Sequence, residues 1–373
     1  MITKLALLFM PIAAATLVLL GLAWHSGEAM PIDYIVALQQ QPDGAIYGSR
    51  IVHQLADYKL SGYYMRQPDI LVLGSSLMGQ IREDFFALDP NAFYNGSMPA
   101  LELNGLTDFY DRMETKPGVL IVGIDLVWFN ADYDGYRRAV VAPDHRTEYE
   151  RIRMVIDHMI QRFMTGNLTL EQLMKRRDPV YGHFGLGFRA IEVGWGYRPD
   201  GSMQLGLTAA STDRQRELVQ SDLATFMFED ERYLPGSNLD EPALETLDWW
   251  LQTLKDDGVT VVAVTTPYHF LIHQGMNQSG AFSYMSRAAA RLKELISAHG
   301  FYYHYFDDMS KWGAQENEWF DGYHMSESSS LRMMQSLFQS HPDLFDAYVD
   351  HNLVQDLLAN FENPMDVFHE LPK

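Results

Sequence analysis

The chain has 373 residues, 47% of them hydrophobic, enough for a sizeable core and unlike a disordered chain. It contains no cysteine, which excludes disulfides, a thiolate nucleophile, thiolate-bound zinc and iron–sulfur clusters. The formal net charge of −21 repels phosphate backbones and argues against a nucleic-acid partner.

From Leu5 to Trp24 the chain is almost continuously apolar, softened only at Pro11, Thr16 and Gly21. A helix needs about 20 residues to cross a bilayer. Lys4 precedes the run, and Glu28 and Asp33 follow it. That asymmetry leaves the amino end in the cytoplasm and exports the body. Residues 1–30 are therefore expected to form a transmembrane signal-anchor. The other reading is a cleaved signal peptide, because Gly27-Glu28-Ala29 loosely fits the small-x-small rule. Either reading puts residues 31–373 outside a bacterial cytoplasmic membrane; the first makes the protein single-pass, with a periplasmic body.

Beyond an approach segment, Ile70-Leu71-Val72-Leu73 reads as a buried strand that runs into Gly74-Ser75-Ser76. Phe93-Tyr94-Asn95 resembles a second short strand, and Leu101 to Met113 has helical spacing. Val119 to Ile124 is another continuous apolar strand, ending at Asp125. Continuous apolar strands with helices between them predict a parallel sheet covered on both faces. The rhythm is lost from about 130 to 240, which reads as an insertion over the carboxyl edge of the sheet. Within it, Tyr149 to Phe163 and a segment from Thr169 read as helices, and Pro199-Asp200-Gly201-Ser202 as a hairpin turn. Its Gly- and aromatic-rich part, Tyr181 to Gly206, is either a structural loop or a binding wall whose Trp195 and Tyr197 could stack on sugars or acyl groups. Glu241–Asp257 (helix), Val259–Thr265 (strand), Tyr284–His299 (helix) and Phe301–Phe306 (a wetter, edge-like strand) resume the pattern. A helix is expected from Ser326, and another over the tail from Asp343 to Phe361. The expected fold is an α/β three-layer αβα sandwich around a parallel sheet, with an amino-terminal transmembrane helix and the insertion.

Chemistry concentrates at two loops. A serine hydroxyl needs a base to take its proton, and the base needs a partner to fix its tautomer. Asp321-Gly322-Tyr323-His324 supplies both, since a turn can bring the carboxylate to Nδ1 and leave Nε2 facing Ser76. The first loop follows the first core strand and the second follows the last, so both fall on the same edge of a sheet wound this way.

Gly74-Ser75-Ser76-Leu77 resembles the first block of the SGNH (GDSL-like) hydrolase superfamily, with Ser75 in the usual Asp place and Ser76 matching the nucleophile. Asp321-Gly322-Tyr323-His324 resembles its last block. The nearest likeness is to the membrane-anchored branch that acts on envelope glycans, including alginate O-acetylation and teichoic-acid D-alanyl transfer proteins. The resemblance implies a flavodoxin-like sheet and a Ser76-His324-Asp321 triad. It also implies an oxyanion hole from the N–H groups of Ser76 and Ala100, the latter where a Gly is usual. It does not cover the insertion. Asp125 stands where the family has an Asn donor, and an ionised carboxylate cannot stabilise an oxyanion. Trp128 or Asn130 could then supply a donor, or the site is weaker than a full hydrolase. His269 either lines the pocket or is an ordinary loop histidine. No cofactor or metal is called for. The expected activity is acyl transfer to an extracytoplasmic polysaccharide or cell-envelope glycan, most simply acetylation. Glycan and acyl ester would be the substrates, and a multi-spanning membrane acyltransferase the partner. The alternatives are an esterase or deacetylase of the same type, and a non-catalytic glycan-binding or scaffold protein of the same fold.

Overall fold

The computed structural model describes residues 2–41, 44–50, 55–133, 135, 147–206, 212–225 and 233–370. Of the expected anchor, the side chains of residues 2–9 and 12 lie outside the described ones; of the expected insertion, so do residues 134, 136–146, 207–211 and 226–232. The chain divides into two compact units. One comprises Met1–Ser61, Pro143–Pro199 and Met203–Leu207; the other comprises Gly62–Ala142, Asp200–Ser202 and Thr208–Lys373.

In chain order, α1 (Ile2–Ser26) and α2 (Ile32–Gln39) lead to β1 (Ala45–Tyr47) and α3 (Leu55–Arg66). Then β2 (Ile70–Leu73), β3 (Phe93–Asn95), α4 (Leu103–Asp111) and β4 (Val119–Ile124) form where the apolar runs predict them. The middle of the chain contributes α5 (Glu148–Met164), α6 (Leu170–Lys175), β5 (Phe184–Leu186), α7 (Phe188–Val193), β6 (Trp195–Tyr197), β7 (Met203–Leu205) and α8 (Thr212–Thr225). Next come α9 (Glu241–Asp256), β8 (Thr260–Thr265), α10 (Phe270–Ser279), α11 (Tyr284–Ala298) and β9 (Tyr302–Tyr305). The last helices are α12 (Glu327–Ser340), α13 (Pro342–Phe345) and α14 (His351–Asn360). Capping residues set several starts. Thr147 with Glu150 and Thr169 with Gln172 close capping boxes on α5 and α6, and Asp240 caps α9. The tail is two helices rather than the single one expected, because Asp350 takes the N–H groups of Asn352 and Leu353 and starts a new helix there.

In the first unit, Ala45–Tyr47 of the approach segment pair with β5 and β6, and the small sheet has the order β5-β1-β6-β7. β6 and β7 pair antiparallel around the predicted turn. Leu19, Leu22 and Ala23 near the carboxyl end of α1 pack with Val155, Met159, Leu168 and Leu173. Met10, Leu17 and Val18 of the same helix are exposed. Among the described residues no helix is long and apolar enough to cross a membrane. The aromatics offered as a binding wall are spent on packing. Tyr197 is buried, with Lys59 over its ring and Tyr58 beside it, while Trp195 meets Tyr197 edge-on and carries Arg189 on its face.

In the second unit, five parallel strands run in the order β3-β2-β4-β8-β9. That order is 2-1-3-4-5 in chain sequence, the flavodoxin-like winding. Ile70, Val72, Ile121, Val262 and Val264 join Leu331, Met334 and Phe338 of α12 in one core. The alternating Leu71, Leu73, Leu120, Val122, Val261 and Ala263 are equally buried, so both faces of the sheet are covered. The wetter β9 is an edge strand, as its exposed Tyr302 suggests.

At that edge His304 Nε2 and His341 Nε2 are 2.7 Å apart, and the His341 ring lies 4.1 Å from that of Tyr302. Burial, and then the neighbouring His341, holds His304 down at about 4; burial also lowers His341. The native state therefore binds fewer protons than the unfolded chain between pH about 4 and the ordinary histidine value of about 6.5, and stability falls as pH drops through that window. We expect the loss of stability between pH 7 and pH 5 to be smaller in His304→Gln, by on the order of 1 kcal/mol for a half-exposed ring. Urea melts at the two pH values measure it, and equal slopes in both proteins would remove His304 as the cause.

Candidate active site

β2 ends where Gly74 crosses close to β4. A Cβ on Gly74 would lie 2.7 Å from Met78 Cγ and 3.3 Å from Gly123 Cα, and one on Gly123 would strike Met78 as well. The two glycines thus let Met78 fold beneath the turn. Ser75 caps the short helical turn Ser76–Met78, with its Oγ accepting the Leu77 N–H at 3.4 Å. Ser75 is buried and Ser76 half-buried, so Ser76 is the more accessible of the two hydroxyls. Asn95, fully buried at the end of β3, donates to the carbonyls of Met78 at 2.9 Å and Ile81 at 2.7 Å and clamps the loop from behind.

The three expected residues meet. Ser76 Oγ is 2.8 Å from His324 Nε2, and His324 Nδ1 is 2.7 Å from Asp321 Oδ2. Asp321 Oδ1 accepts the N–H groups of Tyr323 at 3.0 Å and His324 at 2.7 Å. Burial pushes the Asp321 carboxyl up, but the His324 charge and these hydrogen bonds outweigh it and hold it below the usual carboxylate value. The loop is pinned from outside as well. The Gly322 N–H donates to Asp222 of α8 at 2.8 Å, and the Gly322 carbonyl accepts the His269 N–H at 3.0 Å. A Cβ on Gly322 would lie 2.5 Å from Ile272 Cδ1 and 2.6 Å from Asp222 Cβ.

The remaining sequence expectations divide. The N–H groups of Ser76 and Ala100 make no hydrogen bond among the described residues. Ala100 is exposed and left-handed at φ 54°, a backbone a Gly would adopt more cheaply. The Met98 N–H bonds the Gly74 carbonyl at 3.1 Å, tying the loop that carries Ala100 to the nucleophile turn. Asn130 spends its amide on the carbonyls of Leu234 and Pro235 and is no spare donor; Trp128 is buried. His269 is fully buried, its Nδ1 accepting the Leu271 N–H at the start of α10, so it is a structural histidine. Among the described residues no group of three or more potential metal ligands converges.

Two features had no sequence signal. Asp222 lies 100 residues from its partner Gly322 in an otherwise ordinary surface helix. Arg82 ties the segment after Ser76 to the start of α12 and to the tail. It bonds Glu327 at 3.0 Å, Glu370 at 2.6 Å and Asp84 at 2.5 Å, while Phe368 stacks on its guanidinium. Comparison with known proteins finds no family model, no curated protein and no solved structure that matches the chain.

Proposed function

We propose that the protein is a serine-dependent acyl-transfer enzyme of SGNH type. Ser76 Oγ attacks an acyl carbonyl and forms the new C–O bond as its proton passes to His324 Nε2. Asp321 holds the imidazole in the required tautomer and stabilises its charged form. The N–H groups of Ser76 and Ala100 receive the carbonyl oxygen as it becomes negative. Collapse expels the first alcohol, which takes the proton back from His324. A glycan hydroxyl then attacks the acyl-Ser76 ester by the reverse steps. The observation that carries this reading is the unbroken relay Ser76–His324–Asp321 at 2.8 and 2.7 Å, built from loops that follow the first and last strands of the sheet.

In this reading the acceptor is an extracytoplasmic polysaccharide or envelope glycan and the acyl group is most simply acetyl. Residues 1–30 hold the body at the outer face of the cytoplasmic membrane beside a multi-spanning acyl donor. The exposed apolar residues of α1 support the tether. The SGNH resemblance of the two loops supports the reaction class, and fold-level likeness alone supports the substrate. Asp125 beside the relay favours a second reading, a non-catalytic glycan-binding protein of the same fold.

A fluorophosphonate probe tests the reading on the full-length protein in detergent. Labelling is expected, with complete loss in Ser76→Ala. A folded wild-type chain that takes no label overturns the triad and favours the binding protein. An acetyl ester offered with an oligosaccharide then separates the enzymes: acetylated sugar marks the transferase, and acetate alone marks the esterase.

A further inference from the structure

Every described residue of α1 from Met10 to Val18 is exposed, including the unbroken stretch Ala13–Val18. That stretch exceeds one full helical turn, so no side of α1 is covered there. The other half of the helix is gripped. Leu19, Leu22 and Ala23 pack in one cluster with Met159 of α5, Leu173 of α6 and Leu168 between those helices. Arg176, which ends α6, donates to the His25 carbonyl at 2.8 Å, so α6 closes level with the carboxyl end of α1. Trp24 and Tyr34 stand near that level, each 48% exposed, with their rings 6.0 Å apart.

These contacts set a register. The apolar run extends from Leu5 to Trp24. Crossing hydrocarbon takes about 20 residues, so a spanning helix uses all of it. Leu19 then lies about 7 Å inside the level of Trp24, at ~1.5 Å per residue. The helices that grip Leu19 to Ala23 must reach a similar depth. Each has a surface suited to it. Ile160 and Met164 on α5, and Leu170 and Met174 on α6, are exposed pairs at i,i+4 spacing. Each pair adjoins a residue, Met159 or Leu173, that is buried in the cluster with α1. Lys175-Arg176-Arg177 follows Met174 directly. Cations and amphipathic rings bordering apolar residues match a headgroup layer. The carboxylate of α6, Glu171, is paired with Lys175 at 2.6 Å. Charge is divided to the same effect. The first unit carries 12 Lys and Arg against 11 Asp and Glu, and the second 16 against 38. An anionic lipid surface repels the second and spares the first.

We propose that the α5–α6 corner lies in the outer boundary of the bilayer, with Ile160, Met164, Leu170 and Met174 in lipid and Lys175-Arg176-Arg177 among anionic headgroups. The inference rests on the tether reading of residues 1–30. A single helix would let the first unit swivel, whereas apolar contacts on three helices fix its orientation to the membrane. Immersion of about 5–10 Å is what an interfacial helix reaches.

The chain has no cysteine, so single replacements carry a bimane probe at one defined place. The test uses Leu17→Cys, Met164→Cys, Leu170→Cys, Met174→Cys and, on the second unit, Leu88→Cys. All five positions are exposed, so the fold tolerates the change. The full-length proteins are reconstituted in vesicles of phosphatidylethanolamine and phosphatidylglycerol. Probes at Met164, Leu170 and Met174 are expected to lose fluorescence to doxyl-labelled lipid and to be shielded from iodide in the water. The Leu88 probe is expected to do the reverse. If the three probes stay open to iodide while Leu17 is quenched by lipid, the tether stands and the inference falls. Shielding from both quenchers means that protein covers the corner, a partner or a second copy, and also overturns it. Lipid quenching at Leu88 as strong as at Met174 marks indiscriminate adhesion and overturns it too. A Leu17 probe open to iodide overturns the tether together with the inference.

Discussion

Asp321→Asn is expected to lower the rate of Ser76 acylation about 10⁴-fold while leaving the fold intact. The residue carries three hydrogen bonds, and they do different work. Oδ1 holds the N–H groups of Tyr323 and His324, which shapes the loop. Oδ2 faces His324 Nδ1 at 2.7 Å and fixes the proton there. An asparagine can keep its oxygen on the two backbone donors. Its NH₂ then points at Nδ1 and forces the proton to Nε2, where it blocks acceptance from Ser76. The imidazolium formed during attack also loses its anion. Circular dichroism would report an unchanged fold and stopped-flow acylation the rate. A variant within tenfold of wild type would mean that something other than Asp321 sets the tautomer.

The largest stability loss is expected at Arg82. The residue is 4% exposed and Glu327 1%, so Arg82→Ala leaves a buried carboxylate without its cation. Removing one partner of a buried pair typically costs about 3–5 kcal/mol. Glu327 also accepts the Val367 N–H, so its replacement should keep an acceptor there. Arg82→Met combined with Glu327→Gln is therefore expected to recover much of the loss, and urea melts of the wild type, Arg82→Met, Glu327→Gln and the double variant complete a double-mutant cycle. Additive losses would mean that the two residues act independently. Arg82 stands six residues after Ser76 and Glu327 three after His324. The same variant should therefore slow acylation, by about 10²-fold for a displacement near 1 Å.

Much of the second unit was legible in the sequence because its signals are local. β2, β4 and β8 are short continuous apolar runs bounded by turn residues, and Ser76 sits just past the end of the first of them. The first unit was opaque for the opposite reason. β1 and β5 have three residues each and pair across more than a hundred others, with no periodicity long enough to register. The aromatics from Tyr181 to Tyr197 stayed open between a structural loop and a binding wall, because composition cannot tell a stacking platform from the core of a small sheet. Ser76 was separable from Ser75 by position. What each hydroxyl bonds, and that Asp125 meets Thr266, depends on the register of strands that are distant in sequence.

The crossing of Arg82 to Glu370, like that of Ser76 to His324, joins points separated by most of the chain, 288 and 248 residues apart. Loops of that length close late, because their ends must be brought together before any contact rewards them. A growing chain therefore carries Ser76 for most of its synthesis without His324 beside it. The hydroxyl stays chemically silent until the last helices have emerged and the tail has docked. In the proposed reading, this order of assembly keeps the acyl chemistry from starting before the two loops have met.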